Sequence, residues 1–500
     1  MLATISSATL TGVDGRPVRV EVHVSDGLPG FSIVGLPDAS CREARDRVRA
    51  AMVSSGLSWP MKRITVNLAP GGVPKAGSGL DLPIALGVLT ASGQLPVIDD
   101  GIAAFGELGL DGSVRRVPGA VSLTAACEGR FVLVPAGDAA VASLVHGETV
   151  RAVGCLEDVA NSLLNGEPWP DPEPPTEAAP APVVGDLADV RGQPMARAAL
   201  EYAAAGGHHL LLVGPPGAGK TMLARRLPGL LPQLEPDESL EVTKVHSASG
   251  LALPAGGLIV HAPFRAPHHS STMASLVGGG TGQARPGELS RATCGVLFLD
   301  ELGEFAPSVL DALRQPLEEG VVRVARSGGM ASQPARVLLV AAMNPCPCGE
   351  GGETTCRCPA AVRSRYARRV SGPLLDRLDL MVHVERPGPL DVLGPPGESS
   401  AEVAKRVAKV RAVARDRGVR CNAELQGDEL DQWAPLEPEA KAVLHRALEA
   451  GQLSGRGLRR VRCVARTIRD LDDVGPALRA SDVNAALSLR ARPPLGGSGA

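Results

Sequence analysis

The stretch Gly214-Pro-Pro-Gly-Ala-Gly-Lys-Thr221 follows the apolar run His209-Leu-Leu-Leu-Val213 and precedes Met222-Leu-Ala-Arg-Arg-Leu227. A short buried strand, a glycine-rich loop and a helix in this order predict a phosphate-binding P-loop. Backbone N–H groups of such a loop surround phosphate oxygens, and the dipole of the following helix adds positive potential. The residues expected to bind the phosphates are Gly214, Pro215, Pro216, Gly217, Ala218, Gly219, Lys220 and Thr221.

Two side chains of this loop have separate expected roles. Lys220 is expected to reach the β- and γ-phosphates of a nucleotide, and Thr221 to place its hydroxyl on Mg²⁺. A chance match is the alternative in a chain with 59 glycines, but the flanking strand and helix favour the functional interpretation. The sequence therefore predicts a protein that binds and hydrolyses ATP with Mg²⁺.

Two further strands are predicted to end in polar residues beside the loop. Val296-Leu-Phe-Leu-Asp300-Glu301 would deliver two carboxylates to the sheet edge, where Asp300 holds Mg²⁺ through water and Glu301 orients the attacking water. The alternative is a strand that runs into a solvated helix cap. Val337-Leu-Leu-Val-Ala-Ala-Met-Asn344 ends in an amide that would position the attacking water, although Asn after a strand is also a common turn residue.

Two arginines complete the predicted catalytic set. Arg377, in Ser371-Gly-Pro-Leu-Leu-Asp-Arg377, is either an ion-paired surface residue or an arginine finger that reaches a neighbouring subunit's nucleotide in a ring. Arg456 is expected to contact the γ-phosphate from the C-terminal unit, and Arg459 and Arg460 are competitors for that role.

Composition and periodicity divide the 500 residues into three units and a linker. Residues 1–165 alternate between strand and helix patterns, which predicts a mixed α/β domain. Residues 166–184 are rich in proline and acid and predict an extended linker. Residues 185–395 alternate strands and helices and predict a doubly wound parallel sheet, and residues 396–495 predict a helical lid domain.

Charge and composition exclude some classes of function. A net charge of −3 argues against a uniformly basic nucleic-acid binder but allows a local basic channel. Three Trp, two Tyr and six Phe argue against a single-strand binder built on stacking. We see neither a signal peptide nor an apolar run long enough to span a membrane, so we expect a cytoplasmic protein without membrane contact.

Four of the ten cysteines form a C-x-C-x₇-C-x-C pattern. Four thiolates this close can close a tetrahedral Zn²⁺ site, and a loop with four free thiols is the alternative. A zinc ion here would be structural, because the loop joins Asn344 to the Arg377 segment. The four candidate ligands are Cys346, Cys348, Cys356 and Cys358.

Two basic clusters have open interpretations. His268 and His269 lie in an insertion between the P-loop and the Asp300-Glu301 strand, and we expect either DNA contact or loop packing there. Four arginines within seven residues indicate either a solvated helix face or phosphate contacts. These four arginines are Arg363, Arg365, Arg368 and Arg369.

The motifs together resemble the ComM/YifB family, AAA+ ATPases of the magnesium-chelatase-like branch. The segments that carry the resemblance are the P-loop, Asp300-Glu301, Asn344-Pro345, Ser371–Arg377 and Phe264-Arg-Ala-Pro-His-His269. The resemblance implies a hexameric ring that moves along single-stranded or branched DNA. It also implies a helicase that promotes branch migration in recombination or natural transformation.

The first unit resembles the Lon-type Ser-Lys protease domain through Pro74–Asp81 and Gly106–Val121. The nucleophile position falls on Gly79 and the base position on Val121, which cannot accept a proton, and no lysine is evident to serve Ser78. We therefore expect a degenerate domain that acts as a scaffold. The rival functions are a magnesium-chelatase motor, an ATP-dependent protease and a regulatory ATPase that acts on protein partners. The Lon-like domain argues against the first, because chelatase motor subunits resemble only the ATPase and lid portions, and Val121 argues against the second.

Overall fold

The structure is a computed structural model that describes residues 1–98, 101–129, 131–169, 185–254, 257–279, 285–326, 329–350, 356–472 and 475–490. Most of the predicted linker, residues 170–184, lies outside the described residues. The chain has the expected mixed α/β character, with one large sheet in the N-terminal unit and a parallel sheet in the central unit.

The N-terminal unit is built on a seven-stranded sheet of order β3-β4-β2-β1-β5-β8-β9. Its strands are β1 Leu2–Thr11, β2 Asp14–Ser25, β3 Gly30–Val34, β4 Arg63–Ala69, β5 Ile102–Ala104, β8 Phe131–Pro135 and β9 Val150–Val153, with a small hairpin of β6 Glu107–Leu108 and β7 Val114–Arg115. Its helices are α1 Ala39–Ser54, α2 Asp81–Ala91, α3 Ala120–Ala126, α4 Ala139–His146 and α5 Leu156–Asn165. Helix α2 is buried along its whole length and packs on β1, β2 and α1.

The protease-like segment of this unit lacks the contact that Ser-Lys catalysis requires. The Ser78 hydroxyl donates to the Glu107 carboxylate, while the fully buried Lys75 donates to the Pro70 carbonyl. Val121 is buried in α3. These contacts agree with a scaffold, and the Lon-like assignment itself stays a prediction.

The central unit is a five-stranded sheet of order β11-β14-β17-β10-β18, in which every described pairing is parallel. Its strands are β10 Leu210–Val213, β11 Phe264–Arg265, β14 Val296–Leu299, β17 Leu338–Met343 and β18 Leu380–His383. Two hairpins extend from it, β12 Gly278–Gly279 with β13 Arg285–Pro286, and β15 Val321–Arg326 with β16 Gly329–Pro334. Its helices are α6 Pro194–Gly206, α7 Lys220–Arg226, α8 Pro236–Ala248, α9 Met273–Val277, α10 Glu288–Arg291, α11 Pro307–Ala312, α12 Arg314–Glu319, α13 Ala360–Ala367, α14 Gly372–Leu375 and α15 Pro389–Leu393.

Alternate residues of β10 belong to two different hydrophobic cores. Leu210 and Leu212 pack in one core with residues of α6 and α7, and Leu211 and Val213 pack in another with residues of α11 and α13. The four-residue strand is buried on both faces, which explains why it reads as a continuous apolar run. The sheet therefore carries helices on both sides, as the alternating pattern predicts.

The C-terminal unit is helical, as its periodicity predicts. Its helices are α16 Ser400–Asp416, α17 Gly427–Trp433, α18 Pro438–Glu449, α19 Gly455–Leu471 and α20 Ala480–Ser488. Val407 of α16 and Val464 of α19 share a core with Ala199 of α6 and Leu210 of β10. The helical unit is therefore packed directly on one face of the parallel sheet.

The N-terminal and central units also share a hydrophobic core. Leu10 and Val117 cluster with Val245 and Ala248 of α8, and the backbone N–H of Gly119 donates to the carbonyl of Ser247 at 2.9 Å. Helix α8 thus connects the N-terminal sheet to the central sheet.

Candidate nucleotide-binding site

The predicted P-loop lies between β10 and α7, at the carboxyl edge of the parallel sheet. Gly217 and Gly219 have φ angles of 77° and 89°, in the left-handed region that favours glycine. Gly214 is required for another reason, since a Cβ there would lie 2.1 Å from the carbonyl oxygen of Val384, which follows β18. Glycines thus allow both the turn and its close packing against the neighbouring strand.

Lys220 points back into the loop. Its ammonium group donates to the carbonyl oxygens of Gly214 at 2.6 Å and Pro215 at 2.9 Å, and to Oδ1 of Asn344 at 3.1 Å. Burial lowers the pKa of the Lys220 ammonium. The phosphate-binding lysine and the predicted sensor amide, 124 residues apart in sequence, are therefore in direct contact.

Thr221 and Asp300 form the second contact of the site. The Thr221 hydroxyl donates to Oδ2 of Asp300 at 2.7 Å, and Oδ1 of Asp300 accepts the backbone N–H of Glu301 at 2.9 Å. A hydroxyl beside a carboxylate is the oxygen donor set that Mg²⁺ uses in nucleotide sites. The residues present therefore fit a magnesium ion that is bound together with ATP.

Glu301 stands at the end of β14 in a constrained conformation. Its φ of 52° is in the left-handed region, which a non-glycine residue rarely adopts outside functional or strained positions. Its carboxylate is 56% exposed and lies 3.1 Å from Nδ1 of His269. Glu301, the candidate general base, thus follows Asp300 directly in sequence, but its side chain contacts a histidine from another loop.

The structure does not bring Arg377 or Arg456 to the P-loop of the same chain. Both line a cavity of about 760 Å³ that contains no P-loop residue and that lies at the amino ends of the strands. There Nη2 of Arg377 donates to Glu318 at 2.5 Å, and Nη2 of Arg456 lies 3.9 Å from the same carboxylate. Both arginines therefore approach the same carboxylate, Glu318, at the edge of the sheet opposite the P-loop.

The two competitors of Arg456 are engaged within their own chain. Arg459 donates to the carbonyls of Leu425 and Ala423, and Arg460 lies 3.3 Å from Asp379. The side chain of Arg456, by contrast, is 71% exposed. Arg456 is thus the member of this trio that is best placed to reach a second molecule.

The four cysteines of the predicted zinc cluster come together. Their sulfur atoms all lie within 4.8 Å of one another, with 3.2 Å between Cys346 and Cys348 and 3.5 Å between Cys346 and Cys356. Four sulfurs bound at about 2.3 Å to one Zn²⁺ would be about 3.8 Å apart in a tetrahedron, so the donor set, completed by Cys358, fits zinc. A hydrogen bond from the Glu350 backbone lowers the pKa of the Cys348 thiol to about 6, whereas burial raises that of Cys358.

The cysteine loop packs directly against the P-loop. A Cβ at Gly349 would lie 2.5 Å from Cδ of Pro216. Arg386 joins the two loops, since its Nε donates to the Pro216 carbonyl at 3.2 Å and its Nη2 to Glu350 at 3.3 Å. Sequence reasoning missed Arg386; its signal was a basic residue just after β18, the neighbour of the P-loop strand.

The two basic clusters are divided between internal contacts and solvent. The His268 and His269 rings pack with centroids 4.0 Å apart. Arg369 donates to the Gly303 carbonyl at 2.9 Å and to Glu304 at 2.8 Å. The three other arginines of that cluster are exposed, namely Arg363, Arg365 and Arg368.

Comparison with known proteins identifies the family. Residues 186–392 match the family described as magnesium chelatase, subunit ChlI, residues 20–138 match subunit ChlI of Mg-chelatase, and residues 397–490 match the C-terminal region of that subunit. YifB of Escherichia coli is 43% identical over 480 residues, and competence protein ComM of Haemophilus influenzae is 44% identical over 483, with 94% of each chain covered in both comparisons. The chain belongs to the ComM/YifB family.

Membership in the ComM/YifB family confirms the resemblance inferred from the motifs. An uncharacterized protein of Mycobacterium tuberculosis is similar over an even larger part, with 47% identity over 493 residues and 97% of each chain covered. A ComM/YifB protein is an ATP-binding, magnesium-chelatase-like protein of the AAA+ type. Among the described residues, no helix is both long and apolar enough to cross a membrane.

Proposed function

We propose that this protein hydrolyses ATP in a ring and uses the energy to move or remodel DNA. The observation that carries the ATPase part is the set of contacts at the carboxyl edge, where Lys220 meets Asn344 and Thr221 meets Asp300. These residues follow three neighbouring strands of the sheet, β14, β17 and β10, so the strand order brings them together.

Each group has a distinct task in hydrolysis. Lys220 and the loop N–H groups bind the phosphates, and Thr221 with Asp300 would hold Mg²⁺, which neutralises charge on the β- and γ-oxygens. Glu301 orients and polarises the attacking water, and Asn344 fixes that water opposite the leaving oxygen. Positioning and charge stabilisation supply most of the rate enhancement in phosphoryl transfer.

A ring is proposed because Arg377 and Arg456 lie away from the nucleotide edge of their own chain. An arginine at the opposite edge can complete the site of an adjacent subunit, where it stabilises charge on the transferred phosphate. The hexamer that the family resemblance implies would supply that neighbour through one repeated interface.

DNA is proposed as the substrate, single-stranded or branched. The relative from Haemophilus influenzae is named a competence protein, and the resemblance implies branch migration in recombination or natural transformation. The exposed side chains of Arg363, Arg365 and Arg368 offer phosphate contacts that need no specific base sequence. The cytoplasm stays the predicted location.

A structural zinc ion is proposed at the four cysteines of the loop. Four sulfurs within 4.8 Å are a complete tetrahedral ligand set with no open position for substrate. Because Gly349 packs on Pro216, the zinc would stiffen both the P-loop contact and the connection from Asn344 to Arg377.

The decisive experiment measures ATP turnover by the purified protein alone and with duplex, single-stranded or forked DNA. We expect stimulation by single-stranded or forked DNA, and displacement of a labelled strand from the forked DNA. Equal turnover in all four conditions, together with no DNA binding in a fluorescence anisotropy titration, would contradict the DNA part and favour an ATPase that acts on protein partners.

A magnesium-chelatase motor is the second candidate, favoured by the descriptions of all three matching families. The match of residues 20–138 to a chelatase subunit weakens the argument that the first unit is foreign to chelatases. Stimulated insertion of Mg²⁺ into a porphyrin, in the presence of a chelatase's other subunits, would support this candidate.

A further inference from the structure

We propose that Arg460 and Arg490 are positioning residues, which fasten the segment of Arg377 to the helical C-terminal unit of the same chain. In this arrangement Arg377 and Arg456 are presented to a neighbouring subunit together, instead of as two independent side chains. The inference rests on the proposed function, because it concerns the geometry of an arginine finger that acts in a ring.

The two acids that flank Arg377 in sequence pair with arginines of the C-terminal unit. Nη2 of Arg490, which follows α20, donates to Oδ1 of Asp376 at 3.0 Å. Nη1 of Arg460, on α19, lies 3.3 Å from Oδ1 of Asp379. The short segment that carries Arg377 is therefore held on both sides by the helices that follow it in the chain.

The backbone of the same segment is joined to its surroundings as well. The N–H of Met381, in the edge strand β18, donates to the carbonyl of Leu489 at 2.6 Å. Oδ2 of Asp379 accepts the N–H of His209 at 2.9 Å, and the N–H of Asp379 donates to the His209 carbonyl at 2.9 Å. The residues around Arg377 are thus fixed between the start of β10 and the end of the C-terminal unit.

Arg490 also approaches the turn that carries Arg456. A Cβ at Gly457 would lie 3.2 Å from Nη2 of Arg490, so the guanidinium packs close to the first turn of α19. Arg456 lies in that same turn. One guanidinium group therefore lies between the carboxylate of Asp376, next to Arg377, and the helix start next to Arg456.

The Asp379–Arg460 pair is more buried than the carboxylate that Arg377 itself contacts. The side chains of Asp379 and Arg460 are 10% and 17% exposed, whereas that of Glu318 is 54% exposed. Removal of one partner from a partly buried ion pair leaves an uncompensated charge, whereas an exposed pair contributes little. The flanking pairs therefore hold the backbone in place while the side chain of Arg377 turns from Glu318 toward a neighbour.

Loss of either flanking pair should displace the finger without removing it. A catalytic group that is misplaced by about 1 Å can lower the rate by about 100-fold. We therefore expect turnover to fall by about 10- to 100-fold when Arg460 or Arg490 loses its guanidinium. The KM for ATP should be unchanged, because both arginines act beside Arg377, away from the P-loop of their own chain.

The test compares ATP turnover for the unmodified chain and four variants. Arg490→Met and Arg460→Met keep an apolar stem and lose the charge, so both should show the decrease, and either one suffices if the other does not fold. Arg490→Lys should retain most of the turnover, since one ammonium donor can replace the single bond to Asp376. Arg462→Met is the matched control, because Arg462 lies on α19 and pairs within the C-terminal unit, with Asp431 at 2.8 Å.

Mixed rings separate a displaced finger from damage to the variant's own nucleotide site. Arg490→Met subunits mixed with Lys220→Ala subunits should regain turnover, because some interfaces then combine an intact P-loop with a correctly held finger. The same subunits mixed with Arg377→Ala subunits should regain none, since neither supplies a working finger. Damage to the nucleotide site of the Arg490→Met subunit would give the reverse pattern.

Three results would overturn the inference. They are turnover of Arg490→Met and Arg460→Met within error of the unmodified chain, an equal decrease in Arg462→Met, and recovery of Arg490→Met with Arg377→Ala but not with Lys220→Ala subunits. Normal turnover of Arg377→Ala alone would contradict the proposed arginine finger and this inference with it. Loss of turnover in Arg377→Ala, with normal turnover in both methionine variants, would contradict only the inference.

Discussion

The two edges of the central sheet are built differently. At the carboxyl edge, Lys220 and Thr221 contact groups from neighbouring strands, and together they form a site that one chain completes. At the amino edge, Arg377 donates to Glu318 of its own chain, and Arg456 lies near the same carboxylate. If Arg377 is the arginine finger proposed above, a single chain would bind nucleotide but would need a neighbour for rapid hydrolysis.

Replacement of Arg377 by alanine should have the largest effect. We expect turnover to fall by about 1,000-fold or more, because an arginine finger stabilises charge that develops in the transition state. Nucleotide binding, measured with a fluorescent ATP analogue, should stay within about twofold, since Arg377 lies away from the P-loop of its own chain.

Mixing experiments separate a trans role of Arg377 from a structural one. Arg377→Ala subunits mixed with Lys220→Ala subunits should regain activity, because some interfaces then combine an intact P-loop with an intact finger. Full activity of a protein that stays monomeric with ATP would rule out the trans role.

Glu301→Gln should have the next largest effect, at the opposite edge. We expect a decrease in turnover of about 100- to 1,000-fold, because the amide cannot polarise the attacking water. ATP and Mg²⁺ should still bind, whereas Lys220→Ala should weaken binding itself. Near-normal turnover of Glu301→Gln in a phosphate-release assay would disprove the assignment of Asp300 and Glu301.

Zinc removal should affect the carboxyl edge more moderately. We expect one Zn²⁺ per chain by elemental analysis, and a decrease in turnover of about tenfold in Cys346→Ser, because the loop behind Pro216 and Asn344 loosens. Cys155→Ser, which removes a thiol outside the loop, is the control. A zinc content below about a tenth of an equivalent, with four titratable thiols in the loop, would show that the cluster is a cysteine-rich turn.

Glu318→Gln should have the smallest effect, and it tests whether the contact with Glu318 holds Arg377 at the amino edge of the sheet. Arg377, whose side chain is 13% exposed, must leave Glu318 and the carbonyls of Arg314 and Pro373 before it can reach another subunit's nucleotide. The substitution weakens only the first of these contacts, whose carboxylate is solvent-exposed and contributes at most about 1 kcal/mol. We expect turnover at limiting protein concentration to rise by up to about fivefold. Glu319→Gln, which alters the adjacent carboxylate paired with Arg323, should have no such effect; equal increases in both variants would argue for a general charge effect.

The carboxyl edge was predictable because its signals are local. An apolar run predicts each strand. Because the strands are parallel, the polar residue that follows each run lies at the same edge of the sheet as the P-loop. The four cysteines were predictable for the same reason, since they lie within thirteen residues of one another.

Contacts between distant segments could not be predicted in this way. The meeting of Arg377, Glu318 and Arg456 depends on how α19 packs against the sheet, which periodicity does not specify. The position of Arg386 beside Pro216 depends on strand order, because β18 pairs with β10 in the sheet although the two strands are far apart in sequence. The facing of His269 and Glu301 likewise requires β11 to pair with β14.

The shared core between α3 and α8 has a consequence for truncated forms of the chain. Val245 and Ala248 of α8 are packed against Leu10 and Val117 of the N-terminal unit, and both are buried. The N-terminal unit thus covers one side of a helix that belongs to the central unit. A chain that begins at residue 185 would expose this apolar strip of α8 to water, and burial of such a strip is the main source of folding free energy.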